Sequence, residues 1–179
     1  MIRQLISYIA PGAPATRRWA EGDEPFLRPE IGFTPKWYQQ SLDIDFGERY
    51  HTCPEYRSKS MARMRSELAR RFPGWPIGGT NKPLDVLTGV YGACAIAAMY
   101  GVPPVYARDN WPNCAHQYLD DGAVEELEAP DLDNNPFFQA LMAQVDWIAR
   151  EFGRVEGFVN WQGVLNNAHR LRGEADRKS

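Results

Sequence analysis

The steadiest hydrophobic rhythm in the chain runs from Phe138 to Phe152. Phe138, Leu141, Met142, Val145, Ile148, Ala149 and Phe152 keep helical spacing. Asn134 and Asn135 ahead of Pro136 supply a start, and Gly153 supplies a stop. A second helix is predicted from Pro54, with Cys53 before it as cap, to the break at Pro73-Gly74. Tyr56, Met61, Met64, Leu68 and Phe72 trace its apolar stripe. Arg57, Arg63 and Arg70 lie mostly off the stripe, on a face read as solvated, and Glu67 can pair with Arg71. Tyr91 to Tyr100, YGACAIAAMY, is too uniformly apolar to face water. It predicts a buried helix packed through Gly92, Ala93 and Ala97, with Cys94 in the core. Val164, Leu165, Ala168 and Leu171 share one side of a last helix that stops at Gly173.

Extended segments alternate with these helices. Leu84 to Leu87 reads as a short first strand. Val102 to Ala107 is extended, since Pro103 and Pro104 forbid helix. In Val155 to Trp161, Val155, Gly157, Val159 and Trp161 face one way and Glu156, Phe158 and Asn160 the other. Helix, strand, helix in turn predict an α/β protein with a mainly parallel sheet. Residues 1–34, broken by Pro11, Pro14, Pro25 and Pro29, read as an irregular arm. Residues 35–173 form the β/α domain, and 174–179 a charged tail. Asp43 to Tyr56 and Arg108 to Tyr118 are polar-aromatic loops, and Gly122 to Leu127 is at most a short acidic helix. Near GGTNK, Gly74 and Gly79 have phosphate-loop separation, but Thr80 stands where Lys is required.

Composition narrows the partners. The 179 residues suffice for one domain with a core. Twenty-three acidic against twenty basic residues, a formal net charge of -3, give no reason to expect nucleic acid or an anionic membrane. Three cysteines, Cys53, Cys94 and Cys114, are too sparse for a disulfide framework and fit a reducing cytoplasm. The apolar patch Leu5 to Ala10 is too short for a secretory or membrane segment. Six tryptophans and eight tyrosines suggest an aromatic-lined pocket or a heavily packed core.

Candidate chemistry gathers at two places. Asn160, Trp161 and Gln162 sit where a strand would feed a helix, the end at which α/β folds bind ligands. They offer amide donors and acceptors and an aromatic wall; a well-bonded turn is the alternative. In RDNWPNCAHQY, Arg108 could fork onto a carboxylate or phosphate, and Asp109 could act as a base or merely hold Arg108. His116 titrates in the useful range. The pairs His51/Cys53 and Cys114/His116 offer zinc ligands or a Cys-His nucleophile. Their one-residue spacing is shorter than structural zinc sites use, nothing marks either thiol as activated, and no intrachain metal site is expected.

Three stretches, DFGERYHTCPEYR, TGVYGACAIAAMYGVPPVYARDNWPNC and GRVEGFVNWQGVLNNAHRLRG, together resemble the N-terminal half of the uroporphyrinogen decarboxylase superfamily, over roughly residues 30–173. The resemblance implies the first part of a (β/α)8 TIM-type barrel with its site ringed by strand-end loops. It offers Arg108, Asn110, Trp111, Asn160, Trp161 and Gln162 as residues lining a small-molecule pocket, and assigns no catalytic role. True decarboxylases carry an Asp after the first barrel strand in a Phe-Ser-Asp motif; Thr88 to Gly92, TGVYG, has none. Their arginine-rich opening is replaced by FTPKWYQQSLDIDFGERY. The chain is therefore more similar to the corrinoid-linked methyltransferases and demethylases than to the porphyrin carboxy-lyases. In that branch zinc is held by His-x-Cys and Cys ligands from the second half, so zinc and a corrinoid protein are implied for the full-length relative and no cofactor for this chain. A barrel of this type takes about 250 residues. A truncated product, half of a split enzyme and a self-associating relic are the expectations for an incomplete enzyme; the alternatives are a porphyrin carboxy-lyase and a non-catalytic assembly module that completes its sheet with a partner chain.

Overall fold

The computed structural model describes residues 4–6, 16–18, 32–73 and 84–173, the first two groups as backbone only. By contact the chain divides into two compact units, 1–33 and 34–179. In the first unit β1 (Gln4–Ile6) pairs antiparallel with β2 (Thr16–Arg18), Gln4 opposite Arg18. The rest of the expected arm, the GGTNK connector and the charged tail lie outside the described residues.

The second unit is mainly helical. α1 (Pro35–Leu42) starts where the Thr34 hydroxyl accepts from Trp37 N and ends at Asp43, which takes the left-handed conformation. α2 (Glu48–Thr52) runs through Cys53 into α3 (Pro54–Arg71), whose first residue has no N–H to leave unpaired. α4 (Ala95–Met99) is the short helical part of the apolar YGACAIAAMY stretch. β3 (Pro104–Ala107) and β4 (Asn110–Cys114) form a hairpin, followed by α5 (Asp121–Glu125). α6 (Pro136–Phe152) has the expected bounds, capped by the Asn135 side chain on Phe138 N and closed by Gly153 at φ 71°. α7 (Val164–Arg172) ends at Gly173.

The expected parallel sheet is not formed. Among the described residues strands occur only as two antiparallel pairs, so the chain is not the opening of a (β/α)8 TIM-type barrel. Local chemistry shows why. At Leu84–Leu87 the Asp85 carboxylate accepts from Leu87 N (3.1 Å) and Thr88 N (2.8 Å), which curls the backbone into a turn. At Ala107 the two residues Arg108 and Asp109 reverse the chain, so Asn110–Cys114 returns beside β3 instead of leading to a crossover helix. Pro112 is tolerated in β4 because each strand of a two-stranded pair is an edge. Val155–Trp161 pairs with no strand among the described residues; Gly157, at φ 97°, breaks its alternation.

Among the described residues three small apolar clusters stand in place of one sheet-backed core. Leu42, Ile44, Phe46, Tyr50 and Met64 form the first, with α1, α2 and α3 around it. Val86, Leu87, Val90, Tyr91, Leu141 and Ile148 form the second, beneath α6. Cys94, Ala97, Val102, Cys114 and Leu171 form the third, where α4, β4 and α7 meet. Cys94 is fully buried, as its apolar neighbours predict.

The first two clusters are joined by a polar centre. Arg57, read from sequence as solvated, is fully buried. Its Nε donates to Val86 O (2.6 Å), its Nη1 to Tyr50 O (2.8 Å) and less closely to His51 O (3.3 Å), and its Nη2 to Gln144 Oε1 (2.9 Å). Gln144 Nε2 in turn donates to the Tyr91 hydroxyl (2.8 Å). One guanidinium thus ties α2, the 84–91 turn and α6 to α3. Only a planar fork of donors reaches three elements at once. Arg63 and Arg70 do face solvent, and Glu67 accepts from Arg71 at 2.5 Å and from Arg70 at 2.7 Å.

Candidate functional site

The two halves of the expected pocket border the same turn, Asp85–Gly89. The Trp111 ring lies over Gly89, where an added Cβ would come within 3.3 Å of it, and meets Phe46 edge-on at 6.0 Å. From the other side Phe158 N donates to Thr88 Oγ1 (3.2 Å), and Gly157 lies so close to the Asp85 carboxylate that a side chain there would collide with it. Val159 packs on the second cluster. Both segments are therefore fixed to the body of the fold, with Trp111 and Trp161 45% and 65% exposed.

The polar groups of the six are largely spent on local structure. Arg108 Nε donates to Asp45 Oδ2 at 3.1 Å. Asp45 also accepts from Gly47 N (2.7 Å). Asn110 Oδ1 accepts from Trp111 N (2.9 Å) and Asn160 Oδ1 from Gln162 N (3.2 Å). Gln162 adopts φ 60°, and Asn167 Nδ2 donates to Trp161 O (2.7 Å) and Gly163 O (3.0 Å), so this turn closes over the first residues of α7. What remains outward is apolar. Phe158, Trp161, Val164 and Leu165 are 52, 65, 81 and 85% exposed. The helical side predicted to bury Val164 and Leu165 buries only Leu171, whose neighbours are Cys94, Ala97 and Val102.

The cysteine-histidine pairs do not make a zinc site. His51 is fully buried, ringed by Tyr91 (6.1 Å) and Tyr106 (5.5 Å), and its Nδ1 accepts from Tyr91 N (3.0 Å). The ring proton therefore sits on Nε2, which is buried and has no hydrogen-bond partner. Burial first, then the Arg57 charge, pushes the imidazole down to about 4. Among the described residues no group of three His, Cys, Asp or Glu side chains could hold a metal ion. The zinc chemistry of the methyltransferase branch has no fit in this donor set.

Comparison with protein-family models, with curated proteins and with solved structures returned no match.

The chain's own geometry thus carries the functional reading. Described residues line clefts beside α7 and along α6. One, about 80 Å³, opens between β4 and α7, lined among others by Asn113, His116, His169 and Arg170. The other, about 380 Å³, lies along α6 at Ala143, Asp146, Ala149 and Arg150. None of the six expected residues lines either. Neither Arg57 nor Arg170 stood out from sequence. From sequence Arg57 falls on a solvated face, and its partners Val86 and Gln144 lie 29 and 87 residues further along the chain. For Arg170 no local signal exists, because its neighbours come from β4, 56 residues earlier. No described helix is long and apolar enough to cross a membrane.

Proposed function

We propose that this chain is a self-assembling part of an enzyme of the uroporphyrinogen decarboxylase-like kind, nearer the methyl-transfer branch than the decarboxylases. In this reading Phe158, Trp161, Val164 and Leu165 form a ledge that a second copy covers. Asn160, Trp161 and Gln162 edge a small-molecule groove completed along that seam. The carrying observation is the exposure of four large apolar side chains within eight residues, on a segment held firmly by Gly157 and Val159. Exposed apolar runs of this kind mark interaction surfaces. A second copy suits the ledge because its four side chains carry no charge, and a two-fold axis sets one patch against its equal.

A decarboxylase reading is less favoured by the arginines. An octa-anionic substrate needs uncommitted cations. Arg57 is spent on carbonyls and Gln144, Arg108 faces Asp45, and Arg172 pairs with Asp121, so these three supply no cationic cluster, and Arg170 alone does not make one.

Light scattering on the full chain tests the assembly. The expected result is a mass that rises above the monomer with concentration and returns to monomer in the Val164→Asp/Leu165→Asp variant, at unchanged helix content. A monomer at every concentration refutes the covered ledge. Supplying uroporphyrinogen tests the branch: efficient release of CO2 refutes the methyl-transfer preference.

A further inference from the structure

We propose that the cleft between β4 and α7 binds a small oxyanion, a phosphate or carboxylate group, on Arg170. The inference stands independently of the apolar ledge.

Arg170 is a cation with donors to spare. Its Nη1 reaches Asn113 Oδ1 (3.2 Å) and Cys114 Sγ (3.3 Å), with Cys94 Sγ at 4.0 Å. Its Nε is closed off from water and has no partner, and its Nη2 makes no hydrogen bond among the described residues. No carboxylate of the described residues forms an ion pair with it, in contrast to Arg172 beside it, which meets Asp121. The buried Cys94 does not neutralise it. Cys94 donates to Pro112 O, and burial, then the neighbouring Cys114, pushes its thiol up to about 12, so it keeps its proton at neutral pH. A guanidinium with unspent donors in a partly enclosed site is costly unless an acceptor arrives.

The surroundings suit an anion. The cleft is lined by Asn113, Cys114, His116, Tyr118, His169 and Arg170, with Ala115 and no acidic side chain. Its volume of about 80 Å³ admits one small group of oxygens, about two or three waters' worth of space. Its walls are fixed. Leu119 N donates to Leu171 O (2.7 Å) and Arg172 Nη1 to Leu119 O (2.7 Å), which fastens the chain after β4 to the end of α7. His116 Nδ1 and the Tyr118 hydroxyl are 2.9 Å apart, and the Tyr118 ring packs on Gly173, where an added Cβ would lie 3.0 Å from it. Asn113 Oδ1 is taken by Cys114 N and Arg170, which leaves its amide N–H groups available to an incoming oxygen.

Calorimetric titration of the full chain with inorganic phosphate, and separately with acetate, tests this at constant ionic strength set by sodium chloride. Saturable one-site binding of either anion is expected, and the tighter one identifies the class. Arg170→Gln should weaken binding at least tenfold, since charge-assisted bonds are lost. Because Arg170 also braces the third cluster, the exposed pair His116→Gln/His169→Gln serves as the second variant. It should keep the wild-type unfolding temperature and weaken binding severalfold. Binding of neither anion beyond chloride overturns the proposal, as does binding that the histidine pair leaves unchanged.

Discussion

Replacing Arg57 by Met removes the guanidinium while keeping most of its length. Two terms oppose. Burial lowers the Arg57 pKa from its ordinary value to about 10, which amounts to roughly 3 kcal/mol held against the charged form and relieved by Met. Against this, Val86 O, Tyr50 O and Gln144 Oε1, which receive donors at 2.6, 2.8 and 2.9 Å, are all left unmatched. Hydrogen bonds from a charged donor contribute about 1.5–3 kcal/mol each, so the three together outweigh the burial cost. Breaking such a buried constellation from one side costs about 3–5 kcal/mol. Domains of this size have only about 5–15 kcal/mol in hand. Equilibrium urea unfolding followed by tryptophan fluorescence should therefore show a midpoint lowered by about 1 M or more at an unchanged slope. Arg57→Lys should lose nearly as much, because an ammonium cannot fork to three elements. If Arg57→Met unfolds within about 1 kcal/mol of the wild type, or if Lys restores stability fully, the guanidinium does not hold the clusters together by its geometry.

Three further outcomes follow from the same contacts. His51 takes a proton near pH 6.5 in the unfolded chain and only near 4 in the fold, so the unfolded state binds more protons in between. Stability should fall by up to roughly 3 kcal/mol as pH drops through that window, and His51→Gln should flatten this slope in pH-dependent urea titrations. Gly157→Ala places a Cβ against the Asp85 carboxylate and 2.7 Å from Thr88 Oγ1, at φ 97°; a loss of about 2 kcal/mol is expected, with faster amide exchange at Leu87 and Thr88. Asn135→Ala removes the α6 cap on Phe138 N and the bond from Nδ2 to Met99 O, and should lower stability by about 1–2 kcal/mol in thermal unfolding.

α3, α6 and α7 were legible because their ends are written locally, whereas α1 was not foreseen and α2 lies in the stretch Asp43 to Tyr56 that reads as a loop. Pro54 and Pro136 open α3 and α6, and Gly153 and Gly173 close α6 and α7. The strands were not, because a ladder is a statement about two distant segments. Val155–Trp161 has a strand's alternation but no partner, while Asn110–Cys114, with Pro112 and two asparagines, has a loop's composition yet pairs with β3 because Arg108 and Asp109 turn the chain back. Burial of polar groups was hidden for the same reason. Nothing adjacent to Arg57 announces that Val86 and Gln144 converge on it. Of the six expected pocket residues, Trp111 and Trp161 are strongly exposed. The role of their amide neighbours was not legible, since Asn160 and Asn167 serve the entry to α7.

The joint at Arg57 also sets how the molecule responds to cold. Apolar association weakens on cooling, whereas bonds from a guanidinium to carbonyls carry little of that heat-capacity dependence. Chilling should therefore loosen the interiors on either side while their fastening holds, so that the first departures from order arise within each packed nucleus and not along the line where they meet.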